Sequence, residues 1–140
     1  MNNPIVYITR RVVFSAAHRL HSAALSEDEN KTIYDKCNHP SGHGHNYVLH
    51  VSLRGPADPK TGMLINLADL KVILDQYVLS EFDHRFINKD IPYFESVPPT
   101  VETMVVYIWN LLKPHLGDLL YELKLEETEN NVGIYRGETD

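Results

Sequence analysis

The chain is short of most features that would set it apart from an ordinary folded domain. It carries one cysteine, Cys37, among 140 residues. No intrachain disulfide can form and no four-cysteine zinc site can be built, so a bound metal would rest on histidine or carboxylate. No apolar run approaches the roughly 20 residues that span a bilayer. The segment Met1-Asn-Asn-Pro4 has neither the basic start nor the apolar stretch of a secretory leader. A cytoplasmic protein with no membrane partner is therefore expected. Basic residues are in deficit: 13 Lys and Arg against 19 Asp and Glu leave a net charge of −6. That balance argues against nucleic acid as a partner, yet a local basic pocket can still take a small anionic substrate. Repeats and low-complexity tracts are missing, and so is a glycine-rich dinucleotide fingerprint. The remainder, 43% hydrophobic and 23% charged, is the composition of a soluble globular protein. Its length suits a single domain over residues 1–140 with a real core.

Residues 5–18 are β-branched and aromatic with partial alternation, which predicts a first strand. Ser26-Glu-Asp-Glu29 reads as a capping box opening a short polar helix over about 27–35. A loop rich in Cys, Asn, Pro, Gly and His leads into a second strand over about 45–54, ended by Gly55-Pro56. Asp58 to Gly62 is turn chemistry. Asn66 is placed to cap a helix running to about Ser80, with Leu67, Leu70, Ile73, Leu74, Tyr77 and Val78 at three- and four-residue spacing. Thr100 is a second candidate cap. The helix after it carries Met104, Val105, Ile108, Leu111 and Leu112 on one face, with Pro114 and Gly117 as stops. Two last strands, Leu119–Glu127 and Val132–Arg136, meet around Asn130-Asn131, a pair tolerant of positive φ. The order ββααββ predicts an α+β fold: a four-stranded antiparallel sheet with both helices packed on one face. The other face would be covered by polar residues or by further subunits.

The densest chemical signal is His43-Gly44-His45 at the head of the second strand. Alternation places both rings on one face, with Cα atoms about 6.5 Å apart. Gly42 and Gly44 remove side chains that would crowd an ion bound at about 2.0–2.1 Å. Two polar strand residues facing solvent give the same pattern. His18 ends the first strand and comes beside this pair if the two strands are neighbours; alone, it reads more readily as a surface residue. Three imidazoles would leave one coordination position open, the mark of a catalytic rather than a structural site. Cys37 lies six positions before His43, next to Lys36 and near His39. Those cations, and a nearby dication, would lower a thiol pKa. Three roles stay open for it: inert packing, a metal ligand, or a separate base. Asp83-His84 is either a carboxylate–imidazole pair for proton transfer or a charged helix end. Glu126-Glu-Thr-Glu129 is a solvated run, unless one carboxylate turns inward to accept two parallel hydrogen bonds from a planar amidine-like edge. His21, His39, His50 and His115 read as surface residues.

Taken together, several segments resemble the 6-pyruvoyl-tetrahydropterin synthase family. They are Phe14-Ser-Ala-Ala-His18-Arg-Leu20, Cys37-Asn38, Gly42-His-Gly-His-Asn-Tyr47, Thr61-Gly-Met-Leu-Ile-Asn-Leu-Ala-Asp-Leu70, Asp83-His84, Thr100-Val-Glu102, Val106-Tyr-Ile-Trp109 and Glu127-Thr-Glu-Asn-Asn131. The resemblance implies the tunnelling fold, in which three subunits close a β-barrel and two trimers stack into a homohexamer with active sites between subunits. It implies that His18, His43 and His45 hold Zn2+. It further implies that Cys37, Asp83 and His84 form a proton-transferring triad, and that Glu127 anchors a pterin ring with Thr100 and Glu102 lining the pocket. The implied reaction, in tetrahydrobiopterin biosynthesis, converts 7,8-dihydroneopterin triphosphate to 6-pyruvoyl-tetrahydropterin and triphosphate.

A sister branch makes 6-carboxy-tetrahydropterin for deazapurines and has three residues between Cys and His-Gly-His. Here there are five, Asn38 to Gly42, the spacing of the pyruvoyl-forming branch. His39, Phe82, Val101 and Thr103 depart from the family's usual residues at the pocket margin. Arg10, Arg11, Arg19 and Arg85 are candidates for the triphosphate by charge alone. A structural zinc domain that mediates assembly is the non-enzymatic alternative.

Overall fold

A computed structural model describes residues 2–140; Met1, which begins the segment read against a secretory leader, lies outside them. Strand β1 (Ile5–His18) and strand β2 (His43–Pro56) pair antiparallel over their full length, from Ile5 opposite Pro56 to His18 opposite His43. Strand β4 (Leu120–Thr128) lies beside β2, and β5 (Asn131–Tyr135) beside β4, both antiparallel. These four strands are the expected ones. The sheet nevertheless has five strands in the order β3-β1-β2-β4-β5, so the purely antiparallel four-stranded sheet is corrected. The addition, β3 (Arg85–Phe86), runs parallel to β1 beside Ala16 and Ala17. Two residues are too few to show a period of two, so no sequence pattern announces it.

The helices pack on one face of the sheet. Helix α1 (Glu27–Tyr34) opens on a reciprocal capping box, Ser26 Oγ accepting from the Glu29 amide and Glu29 Oε1 from the Ser26 amide, both at 3.1 Å. Helix α2 (Leu67–Leu74), capped by Asn66 Oδ1 on the Ala68 amide at 2.9 Å, widens into a π-turn over Asp75–Leu79 and continues as α3 (Ser80–Phe82). A short helix α4 (Ile87–Asp90) follows β3. Helix α5 (Val101–Leu116) is capped by Thr100 and keeps Pro114 within it. Pro114 therefore does not end the helix as expected. Gly117 ends it, at φ +55°, with its amide donating to the Lys113 carbonyl. A proline in the last turn removes one amide donor and leaves the preceding turns intact.

Alternation along β1 and β2 sends Phe14, Tyr47, Leu49, Val51 and Leu53 inward, where they meet Leu70, Leu74 and Val78 from the α2 segment and Met104, Ile108 and Leu112 from α5. The opposite face of the sheet is bare, with Tyr7, Val13 and Ile134 about half exposed. No helix among the described residues is long and apolar enough to cross a membrane.

Candidate active site

The last rungs of the β1–β2 ladder build the centre of the site. His18 stands opposite His43, and His45 opposite Ala16, so pleating turns all three imidazoles to the helix-covered side. Their ring centroids are 4.6, 4.8 and 5.1 Å apart, and their ligand nitrogens lie within 4.8 Å of one another. His18 Nε2 and His43 Nε2 are separated by 3.1 Å, close to the roughly 3.3 Å that a tetrahedral ion with 2.0–2.1 Å bonds imposes on its donors.

The surroundings of each ring fit a metal ligand. His18 is fully buried. Its Nδ1 donates to the Pro99 carbonyl at 2.8 Å, with the Tyr47 hydroxyl 3.3 Å away, which leaves the Nε2 lone pair facing its neighbours. Burial pushes the His18 pKa down to about 4; the Pro99 carbonyl opposes this, and His43 and His45 add to it. Burial also lowers His43, assisted by His45 and Lys36. Both rings are thus held in the neutral form that binds metal. His45 Nε2 is buried without a hydrogen-bond partner. Such an orphan costs roughly 1–3 kcal/mol, and a cation would satisfy it. Three imidazoles with no fourth protein nitrogen match the donor set of a catalytic zinc site.

Cavities flank the cluster. One, of about 520 Å3, is lined by Leu20, Thr100, Glu102, Glu127, Asn131 and Gly133 among others. It therefore brings Glu127 together with Thr100 and Glu102, which lie well before it in sequence. A Cβ on Gly133 would lie 3.2 Å from Val101 Cγ2, so glycine lets β5 approach the start of α5. Glu127 spans the space between this cavity and the imidazoles: its Oε2 is 4.0 Å from His18 Nε2 and its Oε1 3.9 Å from His45 Nε2.

The other cavity, of about 300 Å3, is lined by Lys36, Cys37, His43 and His45. Cys37 sits half-buried in a short 3-10 turn, Asp35–Asn38. That turn is tied to the end of β1: the Leu20 amide donates to the Cys37 carbonyl at 2.9 Å, Asn38 Nδ2 to the Leu20 carbonyl at 2.7 Å, and Arg19 Nε to the Asn38 carbonyl at 2.8 Å. Cys37 therefore shares a cavity with His43 and His45 and stands outside the apolar core.

Asp83 and His84 stand elsewhere. They pair with each other at 3.0 Å on the outer side of β1, where the Ser15 amide donates to Asp83 Oδ1 at 3.0 Å and the His84 amide to the Ser15 carbonyl at 2.7 Å. That Ser15 amide, more than His84, holds the Asp83 carboxyl below its ordinary range. His84 takes φ +61° and is exposed. Neither residue lines the Cys37 cavity.

Of the four arginines considered for the triphosphate, Arg19 lines a hollow of about 490 Å3 with Lys31, Lys36 and His39. Arg85 lines another hollow, with Glu81 and Asp90. Arg10 and Arg11 lie along β1 opposite Val51 and His50. None of His21, His39, His50 and His115 is buried, in keeping with a surface reading. Sequence reasoning missed Pro99 and Tyr47 as the neighbours that orient His18. A backbone carbonyl leaves no side-chain signal. Tyr47, however, follows His43 and His45 at a period of two, which could have placed it on their face.

The family model described as 6-pyruvoyl tetrahydropterin synthase matches residues 7–138. The chain is 50% identical over 135 residues to 6-pyruvoyl tetrahydrobiopterin synthase of Poecilia reticulata, covering 96% of this chain and 92% of that one. It is 47% identical over 132 residues to the Homo sapiens protein of the same name, covering 94% and 91%. Its fold matches the structure of Caenorhabditis elegans 6-pyruvoyl tetrahydropterin synthase with a TM-score of 0.94 and 43% identity, over 99% of each chain.

Proposed function

This chain belongs to the 6-pyruvoyl tetrahydropterin synthase family and is a lyase-type enzyme, and from that premise we propose that it converts 7,8-dihydroneopterin triphosphate to 6-pyruvoyl-tetrahydropterin with release of triphosphate, using Zn2+ held by His18, His43 and His45. The observation that carries this reading is the position of the three imidazoles between the Glu127 cavity and the Cys37 cavity. Bound there, a divalent cation would polarise side-chain hydroxyls and stabilise developing negative charge on oxygen. Glu127 accepts the ring's 2-amino and N3–H donors as two parallel hydrogen bonds, with Thr100 and Glu102 at the margin. The three-carbon side chain then lies over the imidazoles. Cys37 takes a carbon-bound proton as its thiolate, and Asp83 with His84 relays protons, steps worth about 10²–10⁴-fold each. Arg19, Lys31 and Lys36, around the hollow beyond Cys37, offer cations to the triphosphate.

Because Asp83 and His84 do not line the Cys37 cavity of their own chain, the triad is completed across a subunit boundary in this reading. Two features favour assembly into a barrel of three subunits and a hexamer of two trimers. Beyond Ala16 and Ala17 the outer edge of β1 is unpaired among the described residues, as is that of β5. The uncovered face also carries exposed Tyr7, Val13 and Ile134. Open edges of this kind are closed by pairing or covered. We place the enzyme in the cytoplasm, where Cys37 stays reduced.

The test is to incubate the zinc-loaded protein with dihydroneopterin triphosphate and to follow triphosphate release and product mass. Release with a pyruvoyl product is expected. No release from the metal-loaded oligomer refutes the reading, and acetaldehyde with a carboxyl product assigns the chain to the deazapurine branch instead.

A further inference from the structure

Glu127 faces two ways. It lines the larger cavity, yet both its oxygens approach the imidazole cluster, at 4.0 Å from His18 Nε2 and 3.9 Å from His45 Nε2. In a tetrahedral site, donor atoms bonded at about 2.0–2.2 Å lie roughly 3.3–3.5 Å apart. Each oxygen is thus about half an ångström beyond the donor spacing of such a site from the one ring it approaches, Oε2 from His18 and Oε1 from His45. The backbone gives Glu127 freedom to move. The β4–β5 register shifts between Glu126 and Thr128, leaving Glu127 without a Cα partner in β5, and bulges of this kind re-aim side chains beside functional sites. His45 Nε2, 3.9 Å from Oε1, is buried without a hydrogen-bond partner.

We infer that Glu127 is a displaceable fourth ligand of the ion held by His18, His43 and His45, and that it leaves the ion when a pterin ring binds. The second half rests on the reading in the preceding section. Two parallel hydrogen bonds to the ring's N–H donors engage both carboxylate oxygens and turn them toward the ring, so ring and ion compete for the same carboxylate. Ring binding would draw Glu127 away and vacate a coordination position as substrate arrives. Without substrate, the carboxylate closes that position.

The experiment uses full-length protein loaded with Co2+, whose visible spectrum reports ligand number and type. Wild type, Glu127→Gln and Glu127→Ala are compared, with oligomeric state and metal stoichiometry checked for each; Gln keeps the side chain's size should Ala perturb folding. The probe is unsubstituted pterin, which has the ring without the three-carbon chain. Substrate-free wild type is expected to differ from both variants. Pterin should move the wild-type spectrum toward theirs and leave theirs unchanged. Zn2+ competition with a chelator should show at least a tenfold weaker affinity in Glu127→Ala, the scale on which zinc-site partners act. A wild-type spectrum matching both variants overturns the inference whether or not pterin binds. So does pterin that binds, by quenching of ring fluorescence, without changing the wild-type spectrum. Spectra that differ between wild type and variants while pterin fails to bind wild type support the ligand role, overturn the displacement, and count against the pterin reading itself.

Discussion

Stripped of metal by a chelator, the protein should lose stability as pH falls through the range where free histidine titrates. His18 is fully buried and held at about 4 in the folded chain, against 6.5 when unfolded. Between those values the unfolded chain carries a proton that the folded chain refuses, so the unfolded state binds more protons and stability rises with pH. The contribution is complete above the unfolded value and is lost as pH falls toward the folded one. Moving one group from 6.5 to about 4 corresponds to about 3 kcal/mol, a large part of the roughly 5–15 kcal/mol typical of a domain. His43, lowered for the same reason, adds to the slope. The carboxylates held low, Glu29 and Asp83, lose their contribution only below their ordinary values of 4.5 and 3.8, so the upper part of the window belongs to the imidazoles. The assay is urea unfolding at fixed protein concentration from about pH 7 to about pH 5, for wild type and His18→Asn. Wild type should fall by about 1.4 kcal/mol per pH unit per group at most, and the variant should be shallower by about one proton. A flat wild-type profile, or the same slope in both proteins, would refute the argument.

Cys37→Ala should abolish turnover while metal content and melting temperature stay at wild-type values, whereas His43→Ala should lose bound metal, both read by metal analysis beside the activity assay. Asn30 is buried, with Nδ2 donating to the Ser22, Leu25 and Ser26 carbonyls and Oδ1 accepting from the Ser22 amide. Asn30→Ala should therefore destabilise by roughly 2–4 kcal/mol by orphaning several of those groups, measured by denaturant unfolding. Gly137 has φ +77°, and an added Cβ would meet Trp109 at 2.6 Å. Gly137→Ala should cost about 1–2 kcal/mol, seen as a lower melting temperature. Unchanged melting would mean the C-terminal segment swings off Trp109 at no cost.

How far the sequence reaches depends on whether information is local. Residues 5–18 form the first strand as read, because alternation there is long enough to be recognised. The second strand begins two residues earlier than expected, at His43, because Gly42 and Gly44 give no strand signal. Caps at Ser26, Asn66 and Thr100 were legible because each is a side chain at a fixed offset from the amide it binds. β3 was not, since its two residues are a strand only by docking beside Ala16 and Ala17 of β1. The meeting of His18 with His43 followed from pairing two recognised strands. The Pro99 carbonyl at His18 Nδ1, 81 positions away, has no side-chain trace. The separation of Asp83–His84 from Cys37 is likewise a property of the folded chain that the motifs alone do not carry.

The tripeptide Pro98-Pro99-Thr100 has a mechanical consequence. Thr103 Oγ1 donates to the Pro98 carbonyl at 2.6 Å and the Thr100 side chain caps α5, while the intervening Pro99 carbonyl steers His18. The first turn of α5 and the orientation of the most deeply buried imidazole are thus geared together. A change at Thr100 or Thr103 is therefore expected to reach the ring by way of Pro99, although neither threonine is among the ring's hydrogen-bond partners.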